Sequence, residues 1–395
     1  MPLCLFCPSE LDETTKPEHI LLNALGGRMA TKSAICSTCN NRFGGKIDDA
    51  LASSVMPIRN FFHLKSGSGD EAPTLKGVQA GAQKINVKGD GRLELADKPF
   101  TVEDLGDGRW NLQISLDGAN FEEELRRLMP HIAAKLKVTE DQLRQQLSGV
   151  QPSLISHRPD TAGHMLALDG PDVLGSIVKA SLVLWSTLVG NDELRREHYG
   201  PARRFVVEGD ESFNLNHTRL DSRIFNDVEK MKAEFGPLFN LIYVRSNDVG
   251  RVIAHFTLYN VVAWQLTLAE SGGPPNVKIA LISNPERSSR WSNCAADEFD
   301  IPFAWLATPD SSLEQAKARM SNMIKYYYDS NLETPVHLIM EECCKTLGIA
   351  PDEPLSAEKA EELKMLMTYR LGHYGLGLPY VEVITAERFA EILQK

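Results

Sequence analysis

Apolar residues recur along this chain with two different periods, and the change of period separates its segments. From about residue 75 to 118, the turn signals Gly89-Asp90-Gly91 and Gly106-Asp107-Gly108 divide short stretches such as 92–95 and 110–116, a pattern that predicts a small antiparallel sheet. Leu125, Leu128, Ile132 and Leu136 then fall on one face of a helix over 120–136, and Thr139 is placed to cap a second helix over 140–147. Beyond 151 the chain reads as mixed α/β. A mostly buried helix is predicted over 172–188, strands over 203–207, 238–244, 252–258 and 277–281, and helices over 312–329 and 357–371. The expected organisation is a small segment at 1–58, an exposed linker or loop at 65–70, a small β-rich segment with helices at 70–150, and a mixed α/β domain at 151–395.

Two runs, 173–190 and 252–269, are long and mostly apolar. The first carries Lys179 near its centre and the second His255, Asn260 and Gln265, which are costly in a bilayer, so both are expected to be buried within the fold and no membrane partner is expected. Composition agrees: 43% hydrophobic and 24% charged residues exclude wholesale disorder, collagen and a disulfide miniprotein. Acidic residues outnumber basic ones by 53 to 42, a net charge of −11, which excludes a general electrostatic grip on nucleic acid. Within residues 1–60 the charges balance, so that excess lies entirely beyond them. The start Met1-Pro2-Leu3-Cys4 lacks a basic and then apolar secretory pattern, and a cytoplasmic location is expected.

Cysteine placement changes the picture most. Of seven cysteines, four form the pairs Cys4-x-x-Cys7 and Cys36-x-x-Cys39, whereas Cys294, Cys343 and Cys344 are scattered. In a reducing compartment two such pairs predict a structural Zn²⁺, since each tight turn directs both sulfurs at one tetrahedral ion. The competing reading, a redox pair, needs only one of them. Zinc would compensate for a core too small to stand alone.

Between the pairs lie 28 residues, longer than a simple zinc ribbon uses. They hold Glu18-His19-Ile20, Asn23 and Leu25-Gly26-Gly27, and the second pair runs on through Asn40, Asn41, Arg42, Gly44 and Ile47-Asp48. This run resembles the HNH endonucleases over about 50 residues. The resemblance implies a ββα-metal module, two strands and a helix around a catalytic divalent ion, Mg²⁺ or Mn²⁺. It implies His19 as general base and Glu18 and Asn40 as ligands of that ion. The chemistry is consistent with it: a neutral imidazole can take a proton from water near pH 7. Arg28, Lys32, Arg42 and Lys46 are candidate phosphate contacts. Asp48 is read as a favourable charge at the start of a helix over 46–53.

One departure stands out. The family's middle asparagine is missing from Ala30-Thr31-Lys32-Ser33-Ala34-Ile35, leaving Thr31, Ser33 or Asn23 to take its place. Elsewhere, Arg195-Arg196, His198 and Arg203-Arg204 form a local basic patch, read first as a solvated face. His157-Arg158 and His164 have no partner at ligand spacing, and Tyr326-Tyr327-Tyr328 reads as helix packing. The expected fold class is α+β. The expected function is metal-dependent cleavage of nucleic acid, DNA first, directed by a C-terminal domain that recognises a protein partner or small signalling ligand, with a role in defence against foreign DNA. The alternative is a catalytically inactive zinc-ribbon module that binds nucleic acid or protein.

Overall fold

The computed structural model describes residues 2–394 except 82, 97, 108, 117–120, 149, 151, 157–161, 164, 165, 288, 295–298, 332, 351–353, 377, 379 and 384. His157, Arg158 and His164 lie outside the described residues. The chain forms two compact units, one of Met1–Thr74, Lys88–Gly91 and Met165–Asp329, the other of Leu75–Val87, Arg92–His164 and Ser330–Lys395. These units cut across the segments expected at 1–58, 70–150 and 151–395. The physical reason is a shared core: one apolar cluster runs from Cys4, Leu5 and Ile20 through Phe43 and Ile58 to Ile177, Trp185, Phe256 and Leu281.

The first unit is built on a six-stranded antiparallel sheet. Its strands lie in the order Thr218–Leu220, Val262–Ala269, Val252–Leu258, Asn240–Ser246, Lys278–Ser283 and Trp291–Cys294. Ile242, Val244, Phe256 and Leu281 share a core with the helix Pro171–Val189. Leu241, Tyr243, Ile253 and Ile282 of the opposite face pack with the helix Val228–Phe235 and with Phe299, Ile301 and Leu306. Both faces are covered, so the central strands are buried almost throughout and lack the alternation of a one-sided sheet. Pro171–Val189 is long and apolar enough to cross a membrane, but 78% of its apolar window is buried inside the fold.

One sequence expectation is corrected here and two are refined. Residues 203–207 belong to the helix Gly200–Glu208, whose first turn holds Pro201, a position where the missing N–H costs nothing. The run 252–269 is two strands, folded back at Tyr259 and Asn260 with φ of 51° and 52°. The stretch 65–70 is a loop, exposed at Lys65, Ser68, Gly69 and Asp70 but anchored at Ser66 and Gly67, which are buried, and the Gly67 N–H donates to the Asn23 carbonyl at 2.7 Å. A Cβ on Gly67 would lie 2.0 Å from the Gly27 carbonyl oxygen, so this turn approaches the hairpin as only glycine can.

The second unit holds the predicted small antiparallel strands, including the hairpin of Phe100–Gly106 with Arg109–Ile114. Its helices include Phe121–Leu136 and Glu140–Leu147, the latter opened by a capping box between Thr139 and Gln142. Leu125, Met129, Ile132, Leu143 and Phe389 form its core.

Candidate functional site

The N-terminal module begins as a very short hairpin. Glu18–His19 pairs antiparallel with Ala30–Thr31, Glu18 opposite Thr31 and His19 opposite Ala30. The connection turns at Asn23–Leu25 and is closed by Gly26 at φ 88°. Gly27 follows because a Cβ there would sit 1.9 Å from the Leu21 carbonyl oxygen. Cys36 then caps the helix Ser37–Phe43, its sulfur accepting the Cys39 N–H at 3.5 Å. A wide turn of π type, Gly44–Asp48, carries the chain into the helix Asp49–Ser54. The helix expected at 46–53 is thus the end of a longer helical run. Asp48 does not cap it, because its side chain is buried and turned to another partner.

The four thiols of Cys4, Cys7, Cys36 and Cys39 lie within 4.8 Å of one another. A tetrahedral zinc with bonds of about 2.3 Å needs sulfurs somewhat under 4 Å apart, so a small contraction would seat the ion. Backbone N–H groups of Phe6 and Cys36 point at the Cys4 sulfur at 3.5 and 3.3 Å. The hydrogen bond from Cys39, with these N–H groups, pulls the Cys4 thiol down to about 5, and the same contact pushes Cys39 up. The donor set is compatible with structural zinc.

Successive strand residues face opposite ways, so Glu18 and His19 diverge. His19 is half-buried, and among the described residues its ring has no hydrogen-bond partner. Burial first, then the nearby charges of Lys179 and Arg28, hold its pKa below the usual histidine value. Asn40 is likewise half-buried, with no side-chain hydrogen bond among the described residues. Glu18 is different. Its Oε1 accepts from the Lys179 ammonium at 2.5 Å, and the same ammonium donates to Asp48 Oδ2 at 2.5 Å. Ser176 donates to the other oxygen of Asp48 at 2.6 Å. All four side chains are buried, and burial raises the Glu18 pKa in spite of its partner. In this arrangement Glu18 does not fit the role of a ligand to a divalent ion, because a cation already holds its carboxylate.

The four candidate phosphate contacts also meet protein groups. Arg28 donates to the Gly67 carbonyl, Arg42 to the Val207 carbonyl and Lys32 to the Glu13 carbonyl, while Lys46 pairs with Asp172 at 3.4 Å. That last pair is exposed and weak, leaving Lys46 accessible. None of the expected substitutes for the middle asparagine reaches His19. Thr31 and Ser33 bond to each other, and Asn23 Oδ1 accepts from Ser68.

Residues far along the chain complete the module. Asn191 Nδ2 donates to the carbonyls of Leu3 and Ser33 at 2.7 Å, and Asn240 Nδ2 to that of Leu25 at 3.0 Å. Arg195 Nη1 donates to the carbonyls of Cys4 and Cys7, and Arg203 to that of Leu5. Arg195 and Arg203, read from sequence as part of a solvated patch, are therefore clamps. Lys179 left one legible signal, an isolated charge inside an apolar helix, which requires a buried counter-ion.

Residues 4–56 match the family model described as HNH endonuclease. The N-terminal segment is an HNH-like module. The match ends before residue 57, so Lys179, Asn191 and Arg195 all lie beyond the part of the chain it covers. No curated protein and no solved structure matches this chain. The cysteine cluster, the hairpin with His19 and the helix with Asn40 all fall within the matched stretch, followed by the larger mixed region.

Proposed function

We propose that the HNH module hydrolyses phosphodiester bonds of nucleic acid, DNA first, in a reaction that depends on Mg²⁺ or Mn²⁺. The single observation that carries this reading is the state of His19. His19 lies within the matched stretch, its imidazole has no hydrogen-bond partner among the described residues, and burial holds its pKa below the ordinary histidine value, which favours the neutral ring at physiological pH. A neutral imidazole of this kind takes a proton from water as the water attacks phosphorus. Asn40 is the expected ligand whose side chain makes no hydrogen bond among the described residues, and Lys46 is the expected phosphate contact left accessible by its exposed pair with Asp172. The large acidic remainder of the chain limits non-specific contact with a polyanion and supports a directing role, as do its clamps on the module. A cytoplasmic role in defence against foreign DNA belongs to the same reading and rests on this architecture.

The second reading, a zinc module that binds without cutting, is favoured by one observation: Glu18 is held by Lys179. Supercoiled plasmid separates the two. The full-length protein is expected to nick it slowly with Mg²⁺ or Mn²⁺ and not with chelator. Plasmid that is retarded in a gel but never nicked, in either metal, would support the binding module and end the nuclease reading.

A further inference from the structure

We propose that Lys179 is a built-in counter-cation, its ammonium seated between Glu18 and Asp48 in place of a divalent ion, so that the carboxylate pair binds no metal while Lys179 remains there. This deepens the nuclease reading and rests on it for the expectation that Glu18 faces a metal. The geometry is that of a filled cation site. One ammonium spans two carboxylate oxygens at 2.5 Å each, and the Ser176 hydroxyl fixes the remaining Asp48 oxygen at 2.6 Å. Lys179 is 0% exposed and Glu18 4%, so water cannot take over the solvation of either charge.

Packing holds the arrangement closed. A Cβ built on Gly175, in the helix that carries Lys179, would stand 3.3 Å from Ile47 Cγ2, so that helix already passes close to the wide turn bearing Asp48. That turn places both Ile47 and Asp48 on the buried side. Charge points to what the pair would accept instead. Two carboxylates against one ammonium leave a buried unit of negative charge, whereas two carboxylates and a divalent ion balance. Removing the lysine alone leaves two acids that must take up protons or a cation, because unpaired buried charges are not tolerated.

The test is Mn²⁺ binding to the full-length, zinc-loaded protein, followed by electron paramagnetic resonance, with thermal melting to confirm folding. Lys179→Met should bind Mn²⁺ at least tenfold more tightly than wild type, and adding Glu18→Gln should abolish the gain. In the otherwise wild-type chain, Glu18→Gln should leave Mn²⁺ affinity unchanged. This second comparison decides the matter even if Lys179→Met fails to fold. A folded Lys179→Met protein with wild-type affinity overturns the proposal, and so does loss of Mn²⁺ binding in Glu18→Gln alone. Plasmid cleavage by the same samples keeps the two readings apart: a gain of Mn²⁺ binding without cleavage by any variant upholds the counter-cation and sinks the nuclease.

Discussion

Arg195 donates a hydrogen bond to the carbonyl of Cys4 at 2.5 Å, although the two residues stand 191 positions apart in sequence. The same guanidinium nitrogen reaches the Cys7 carbonyl at 2.8 Å, so the first cysteine turn is braced by the body of the fold. A zinc knuckle held in this way is no appendage. Its sulfurs, its hairpin and the helix Pro171–Val189 share one core, and their stabilities are coupled.

The first prediction follows from that coupling. Wild-type protein should carry one zinc per chain, and Cys36→Ser should lose it. Metal binding supplies folding free energy to such modules, so loss of zinc should loosen the whole first unit, not the first 60 residues alone. Hydrogen exchange of the amides in Pro171–Val189 checks this. Unchanged protection there after zinc loss would show that the module melts independently.

The second concerns the base. His19→Ala should reduce plasmid nicking by about 10²–10⁴-fold while zinc content and melting temperature stay at wild-type values. Because burial depresses the His19 pKa, the acid-side decline in nicking should set in at lower pH than an ordinary histidine would give. A rate that halves near pH 6.5 would contradict the environment described for this residue.

What the sequence made legible and what it hid have separate physical causes. The Cys-x-x-Cys pairs and the Glu18-His19 step are local, because spacing along the chain sets which side chains can meet. The partners Lys179, Asn191, Arg195 and Asn240 are not local, and nothing short-range in the sequence says which carbonyl or carboxylate a distant side chain will find. The helix Gly200–Glu208 was misread as a strand because Phe205, Val206 and Val207 favour strands, while the decisive signal was Pro201 in the first turn. Val262–Ala269 was missed because Tyr259-Asn260 makes a hairpin turn without the usual glycine.

The third prediction tests the brace at Asn191. Its amide serves three carbonyls, those of Leu3, Ser33 and Ala34, from a largely buried position. Asn191→Ala removes this donor from the Leu3 and Ser33 carbonyls, while the Ala34 carbonyl keeps the Leu5 N–H, and should cost about 1–3 kcal/mol. Asn191→Asp should cost more, because a carboxylate oxygen would face carbonyl oxygens. Denaturant unfolding measures both, and equal stability of the alanine and aspartate variants would show that water fills the gap.

The last prediction concerns acid stability, and it turns on a histidine away from the proposed site. His255 is 0% exposed on the central strand Val252–Leu258, its Nε2 bonded to the Thr257 hydroxyl at 2.7 Å. Burial pushes its pKa down to about 3, against the partial support of Asp221, while Arg319 and Arg223 add to the depression. In the unfolded chain the same ring titrates near 6.5, so below that pH the unfolded state binds a proton that the folded state refuses. Stability from this group is therefore complete above about pH 6.5 and is lost as pH falls toward the folded value. Between pH 8 and pH 5 the loss amounts to about 2 kcal/mol, at about 1.4 kcal/mol per pH unit once the unfolded ring is charged. Carboxylates elsewhere also titrate in this range, so the comparison is with His255→Asn, which keeps a polar side chain without the titration. Urea unfolding at pH 8, 6 and 5 should show wild type losing about 2 kcal/mol more than the variant. Parallel curves for the two proteins would mean that the folded state admits a proton to His255, and that its surroundings open more readily than their packing indicates.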